Sequence, residues 1–179
     1  SLARHGGRRR GGEVPWQNLR VTFADTGTLL HTLSLACGAR RILEIGTGDG
    51  RVTRTLAAAL PTDGMMITME VDAAAAGRAR EHLAAAGYGG RVSVMVGDAT
   101  RFLHKIAGPF DLIFQDSDPA KYDQMLDRLV ELLRPGGVLV IAAPAGREMD
   151  DNRLAFSQRL SADPRLHTAI LPVGDGVAV

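Results

Sequence analysis

Cysteine occurs once in the 179 residues, at Cys37, so neither a disulfide framework nor a cysteine-based zinc site can be assembled within the chain. That usage predicts a reducing, cytoplasmic setting. Lysine is almost as scarce, with Lys105 and Lys121 set against nineteen arginines. Alanine is abundant as well, a genome-wide bias that makes a single arginine a poor functional signal and a lysine a better one. Long apolar runs are missing: "VLVIAAPA" falls far short of the roughly 20 residues needed to span a bilayer. "SLARHGGRRRGG" has no apolar stretch of the secretory kind, so neither membrane nor export is expected. Positive charge is also missing from the body of the chain. The formal net charge of +1 depends on Arg4, Arg8, Arg9 and Arg10, and without them 17 basic residues face 20 acidic ones. A nucleic-acid binder would carry a basic stripe on its folded part, and none is visible.

What is present is enough apolar residue, 45% of the chain, for one full core. Residues 1–12 read as a flexible basic tail and 13–179 as a single domain. "DTGTLLHTLSLAC", from Asp25 to Cys37, has apolar residues at helical spacing. After it, β-like runs alternate with helical ones. Strands are predicted at 41–45, 66–70, 91–96, 110–115 and 137–143, and helices at 50–60, 73–86, 99–106 and 119–133. Pro119 suits a first helical turn, and "RPGG" ends that helix. "HTAILPV" and "GVAV" flank Gly174-Asp175-Gly176, a turn signal for a closing hairpin. Five such alternations imply an α/β fold, a doubly wound and mostly parallel sheet covered on both faces, with an antiparallel hairpin at its carboxyl end.

"ILEIGTGDGRVT" puts Gly46, Gly48 and Gly50 at the first strand-to-helix turn, where small residues let a ligand approach backbone amides. A dinucleotide fingerprint, G-x-G-x-x-G, would need glycine at 51. Arg51 stands there, and Asp49 would repel a pyrophosphate. Acids recur at the strand ends: Glu44, Glu70, Asp98 and Asp116. Glu70 lies 24 residues beyond Gly46, close to the interval at which an acid takes a ribose hydroxyl pair. A rim of carboxylates favours a cation, and S-adenosylmethionine offers a ribose, an ammonium and a sulfonium without a phosphate. Singly, each acid has a plainer reading. Asp98 and Asp116 could cap the helices that follow them, and Glu44 could be held by backbone amides.

"RRILEIGTGDGRVT", "ITMEVD", "VMVGDA", "GPFDLIFQDSD", "LLRPGGVLV" and the terminal "LPVGDGVAV" form a more specific set than any one of them. On these motifs, from about Leu19 to Val179, the chain resembles the class I S-adenosylmethionine-dependent O-methyltransferases of the catechol and caffeoyl-coenzyme A type. The resemblance implies a Rossmann-like methyltransferase sheet with S-adenosylmethionine as cofactor. It implies that Glu44, Gly46, Thr47 and Gly48 surround the methionine part. Glu70, with Val71 beside it, would bind the ribose, and Asp98 with Ala99 would lie against the adenine. Asp116 would hold the ammonium and, in the family, a divalent metal. A homodimer is implied by resemblance alone.

The pattern breaks in two places. Family members end the fifth strand with Asp-Asn, two further metal ligands, and Ala142 and Ala143 stand there instead. A hard divalent cation takes about six oxygens, so a metal-independent enzyme is expected. Where "D-x-x-K" would place a catalytic lysine, Asp116 is followed by Ser117, Asp118 and Pro119, and Lys121 comes two residues later. Asp118, Lys121 and His31 are nominated as replacements for what the metal did. The plainer alternatives are an N-cap for Asp118, a surface lysine for Lys121 and a solvent-facing ring for His31. His82, His104 and His167 receive no role. "SDPAKY" lacks the second proline and the aromatic of the base N-methylating enzymes, which leaves oxygen as the acceptor atom. Trp16 and Phe23 could wall the substrate pocket or pack on the core, and "PAGREMDD" with Arg147 is its other expected lip. The expected function is methylation of a small hydroxylated molecule, phenols among the candidates. The alternative is a cofactor-binding homologue without chemistry, serving as a partner or regulatory subunit.

Overall fold

The computed structural model describes residues 25–142, 151–174 and 176–179. The expectations placed on the tail 1–12, on Trp16 and Phe23, on Ala143 and the loop with Arg147, and on Asp175 lie outside the described residues.

The helix ahead of the sheet is α1, Thr26–Ala36. Asp25 starts it, its carboxylate accepting from the Thr28 amide at 2.7 Å and so satisfying one of the four donors a helix start leaves free. The chain then alternates as β1 Arg41–Ile45, α2 Arg51–Ala59, β2 Met65–Glu70, α3 Ala73–Ala85, β3 Val92–Val96, α4 Ala99–Phe102, β4 Phe110–Gln115, α5 Tyr122–Leu132 and β5 Leu133–Ala142. It ends with α6 Asp151–Ala162, β6 Ile170–Leu171 and β7 Val177–Ala178. Strand order across the sheet is β3-β2-β1-β4-β5-β7-β6. The first five strands pair in parallel, and the closing hairpin is antiparallel.

Successive side chains on a strand point to opposite faces, and both faces are dry here. Ile42, Met66, Leu112, Phe114 and Val140 meet Leu30 of α1, Leu56 of α2 and Leu83 of α3. Leu43, Ile45, Ile113 and Ile141 meet Leu126 of α5 and Phe156 of α6. In α5 the apolar positions Tyr122, Met125, Leu126, Leu129 and Leu132 recur at three and four and are all buried. Their transfer from water supplies on the order of 10 kcal/mol before the entropy of ordering is subtracted. No described helix is long and apolar enough to cross a membrane.

Three readings of the sequence are corrected. The helix expected to run to 133 stops at Leu132, and β5 starts at Leu133, four residues earlier than predicted. Leu133 pairs with Phe110, the register then shifts, and pairing resumes at Leu112 with Val138. "RPGG" therefore interrupts a strand rather than ending a helix, as suits a proline that cannot donate to a ladder and a glycine, Gly136, at φ +70°. The helix α6 went unread, because its buried residues Phe156 and Leu160 are too sparse for a periodic signal. The span 99–106 is a four-residue helix followed by a 3₁₀ turn at Leu103–Lys105, and a second such turn, Pro119–Lys121, precedes α5.

From β1 the order runs one way to β2 and the other way to β4. Crossovers leaving in opposite directions open a crevice at the carboxyl ends of these strands, the usual place for a ligand in such sheets.

Candidate active site

The crevice is built on the turn after β1. The Gly46 amide donates to the Met69 carbonyl at 2.8 Å, while the Asp116 amide donates to the Ile45 carbonyl at 2.8 Å. The chain thus leaves β1 gripped by both neighbours. Gly46 sits at φ +98°, and a Cβ there would lie 1.8 Å from the Asp116 carbonyl oxygen. Gly48, at φ +54°, faces open space, so its backbone is bare toward the crevice.

Glu70 closes the next side. Its Oε2 accepts from the Gly48 amide at 2.8 Å and its Oε1 from the Asp72 amide at 3.0 Å. Each carboxylate oxygen has two lone pairs, which leaves one on each for a diol. Val71, beside it, is exposed. Beyond β3, Asp98 caps α4, with Oδ1 accepting from both the amide and the hydroxyl of Thr100 at 3.0 and 2.9 Å. Its Oδ2 meets Lys121 Nζ at 2.9 Å, and that contact above all holds the Asp98 carboxyl down at about 2. Asp116 opens onto the groove, yet the surrounding walls strip water from it and push its pKa up. Asp118 accepts from the Ala120 amide at 3.1 Å and caps the turn at Pro119.

The resulting groove holds about 420 Å³, within the ~300–1,000 Å³ usual for small-molecule sites. Gly46, Thr47, Gly48, Glu70, Val71, Asp98, Ala99, Asp116, Asp118 and Lys121 all line it. The plain readings of Asp98 and Asp118 as caps hold, while Asp116, also expected as a possible cap, is not one, because Asp118 caps the turn that follows.

Glu44 is not on the wall. It is completely buried on the α2 side of β1, where Oε2 accepts from the hydroxyls of Thr53 and Thr68 at 2.5 and 2.6 Å. Because Thr68 spends its proton on Glu44, the 2.6 Å contact between the Thr47 and Thr68 hydroxyls has Thr47 as donor. Glu44 therefore supports the turn from beneath through hydroxyls, not through backbone amides. Its Oε1 has no partner among the described residues. Burial first of all, aided by the charges of Asp116 and Glu70, pushes its pKa up to about 8.

His31, nominated as a base, is elsewhere. Its Nδ1 donates to the Thr55 carbonyl at 3.1 Å, which pins α1 to α2 outside the groove. Sequence reasoning missed the lining contributed by Ile45, Val52, Met69, Gly97 and Ser117. Each adjoins a strand end or the glycine turn, which was the available signal. At the end of β5 the Tyr122 hydroxyl donates to the Ala142 carbonyl at 3.2 Å. Among the described residues, no three His, Cys, Asp or Glu side chains gather as a metal-holding cluster.

Comparison with known proteins shows what the whole chain is similar to. A family model described as O-methyltransferase matches residues 7–179. Caffeoyl-CoA O-methyltransferase 1 of Eucalyptus globulus is 31% identical over 186 residues, covering 92% of this chain and 75% of that protein. Caffeoyl-CoA O-methyltransferase 2 of Zea mays is 33% identical over 187 residues, covering 92% and 70%. The crystal structure of the O-methyltransferase TomG from Streptomyces achromogenes in complex with SAM superposes with a TM-score of 0.77 at 32% identity, covering 85% of this chain and 77% of that one. The O-methyltransferase from Bacillus cereus in complex with SAH gives 0.77 at 30% identity, covering 91% and 84%.

Proposed function

The chain belongs to the S-adenosylmethionine-dependent O-methyltransferase family, and from that premise we propose that it methylates a hydroxyl oxygen of a small acceptor, phenols among the candidates, without help from a metal ion. The cofactor supplies a methyl group on a sulfonium, whose positive charge is lost as the methyl leaves.

The residues present fit that cofactor. Gly46 lets β1 and β4 close up at the turn, Gly48 leaves its backbone bare toward the crevice, and Glu70 keeps a lone pair on each oxygen for a ribose diol. Asp116, short of water, gains most from a cationic neighbour such as an ammonium. Nothing in this set of acids suits a phosphate. Replacing Glu70 by alanine is expected to weaken S-adenosylmethionine binding by about 1–3 kcal/mol, through loss of charge-assisted hydrogen bonds. Calorimetric titration reads the change directly, and an unaltered affinity would disqualify the ribose assignment.

Transfer from a sulfonium gains most of its rate from holding nucleophile, methyl carbon and leaving sulfur in line. With Glu70 and Asp98 given to the nucleoside, we assign the acceptor to the part of the groove lined by Asp116 and Asp118. Asp118 Oδ1 is occupied by the Ala120 amide, and we assign its Oδ2 to receive the proton of the acceptor hydroxyl. Lys121, nominated beside it, has Nζ directed at Asp98.

The observation that carries the metal-free reading is the end of β5. Asp116 could offer a metal its carboxylate, but Ala142 presents only a methyl group, and its carbonyl accepts from the Tyr122 hydroxyl. Among the described residues no three His, Cys, Asp or Glu side chains gather there, so a shell of about six oxygens would have to be drawn mainly from water. Methyl transfer to a panel of phenolic acceptors is therefore expected to run equally well with and without EDTA. Activity that vanishes in EDTA and returns with magnesium would overturn this reading. Tight cofactor binding with no turnover on any acceptor would favour the alternative, a partner or regulatory subunit.

A further inference from the structure

Glu44 touches nothing in the groove, yet a line of hydroxyls connects it there. Thr68 donates to its Oε2 at 2.6 Å, Thr47 donates to Thr68 at 2.6 Å, and Thr47 lines the groove. A ligand bonded to the Thr47 oxygen would stand no more than about 8 Å from the Glu44 carboxyl along three such bonds. Oε2 also accepts from Thr53 at 2.5 Å, so both of its lone pairs are filled. The proton of the acid therefore sits on Oε1, which has no partner among the described residues.

The groups that face this acid are neutral or negative: the Thr53 hydroxyl from α2, the Thr68 hydroxyl from β2, and the Asp116 and Glu70 carboxylates at the ends of β4 and β2. Among the described residues no cation pairs with it. Burial in these surroundings keeps it protonated past neutrality, and a cationic ligand changes the surroundings. S-adenosylmethionine carries an ammonium and a sulfonium against one carboxylate, which leaves a net positive charge. In the groove that charge offsets the repulsion from Asp116 and Glu70 and attracts a negative charge beneath the turn. S-adenosylhomocysteine lacks the sulfonium and is neutral overall.

We propose that the protein exchanges the proton of Glu44 for the positive charge of its cofactor. When S-adenosylmethionine enters, the O–H bond at Oε1 breaks, the electron pair stays on the carboxylate and the proton passes to solvent. The new charge strengthens the line of hydroxyls, because hydrogen bonds in a chain polarise one another, and it leaves the Thr47 oxygen more negative toward the groove. Once the methyl has gone, the sulfonium charge is gone too. Glu44 then takes up a proton again, and the product is held less tightly. Glu44 is thus a positioning residue that acts through Thr68 and Thr47 and ties cofactor affinity to pH. This rests on the cofactor reading above.

The test is calorimetric titration of S-adenosylmethionine and of S-adenosylhomocysteine at pH 7, in phosphate and in Tris, whose different heats of ionisation reveal the number of protons exchanged. It is run on the unaltered protein, Glu44→Gln and Thr68→Val, with melting curves confirming that each is folded. A net charge at that distance favours the ionised acid about tenfold. The unaltered protein is therefore expected to release roughly half a proton more than Glu44→Gln per S-adenosylmethionine bound. Glu44→Gln subtracts any proton exchanged by the ligand or by Asp116. Its affinity also sets the baseline against which the unaltered protein should gain about threefold from pH 6.5 to 7.5. S-adenosylhomocysteine should release little, and Thr68→Val, which cuts the line of hydroxyls, should lose the release. Equal proton counts in the unaltered protein and Glu44→Gln, equal release by the two ligands, or undiminished release in Thr68→Val would each overturn the proposal. Failure of the unaltered protein to bind S-adenosylmethionine at all would strike the cofactor reading itself and take this proposal with it.

Discussion

Replacing Gly46 by alanine is expected to abolish detectable cofactor binding and to lower the melting temperature by roughly 10 °C. Two penalties combine. At φ +98° an alanine is strained, and its Cβ would lie 1.8 Å from the Asp116 carbonyl oxygen, far inside any tolerable contact. The oxygen has little room to retreat, because the Asp116 amide is bonded to Ile45 and the Gly46 amide to Met69. Strain and overpacking together come to about 4 kcal/mol. Relief requires β1 and β4 to part at their ends, where the crevice lies. Gly48→Ala is the control: its φ of +54° costs about 1 kcal/mol, but no atom lies within 4 Å of the added methyl. Calorimetric melting and cofactor titration of both variants separate clash from strain. A Gly46→Ala protein that binds like the unaltered one would refute the geometry of the turn.

Glu44 governs the second large effect, a loss of stability as pH rises. In the unfolded chain its carboxyl ionises near 4.5, and in the folded protein it keeps its proton to about 8. Below pH 4.5 both states are protonated and no ionisation penalty is felt. Between pH 4.5 and 8 only the unfolded state releases the proton, so folding stability falls across that window, by on the order of 5 kcal/mol in total. Above pH 8 both states are ionised and the loss levels off. Glu44→Gln retains an acceptor oxygen for the Thr53 and Thr68 hydroxyls and cannot titrate. Urea unfolding at pH 5 and pH 8 should show the variant gaining on the unaltered protein as pH rises. Parallel profiles would mean that Glu44 is ionised throughout, and the buried-acid account would fall.

The central strands were legible because parallel sheets bury both faces, so "RILEI", "MITME" and "FDLIFQ" read as short apolar runs whatever packs on them. The crevice was legible for a related reason: the glycine turn and the acids sit at fixed offsets from strand ends. What escaped was set by contacts distant in sequence. Glu44 reads as one more rim acid, and only the closeness of Thr53 and Thr68 shows that it lies beneath the turn. The pairing of Lys121 with Asp98 depends on how β3 and β4 are placed across the crevice, which no local spacing reports. Helix α6 and the early start of β5 were lost to weak periodicity and to a Pro-Gly-Gly run whose local signal says "stop" while its pairing with β4 continues.

The grip of Glu70 on the loops either side of it has a kinetic consequence. With Gly48 and Asp72 already tied to its two oxygens, this side of the crevice is braced before anything arrives. Immobilising a side chain on association ordinarily sacrifices about 0.5–1.5 kcal/mol, and here folding has settled that cost in advance. On the proposed assignment of Glu70 to the ribose, the nucleoside meets a finished surface, and its dwell time is expected to follow how long the carboxylate holds on rather than any slow closing around it.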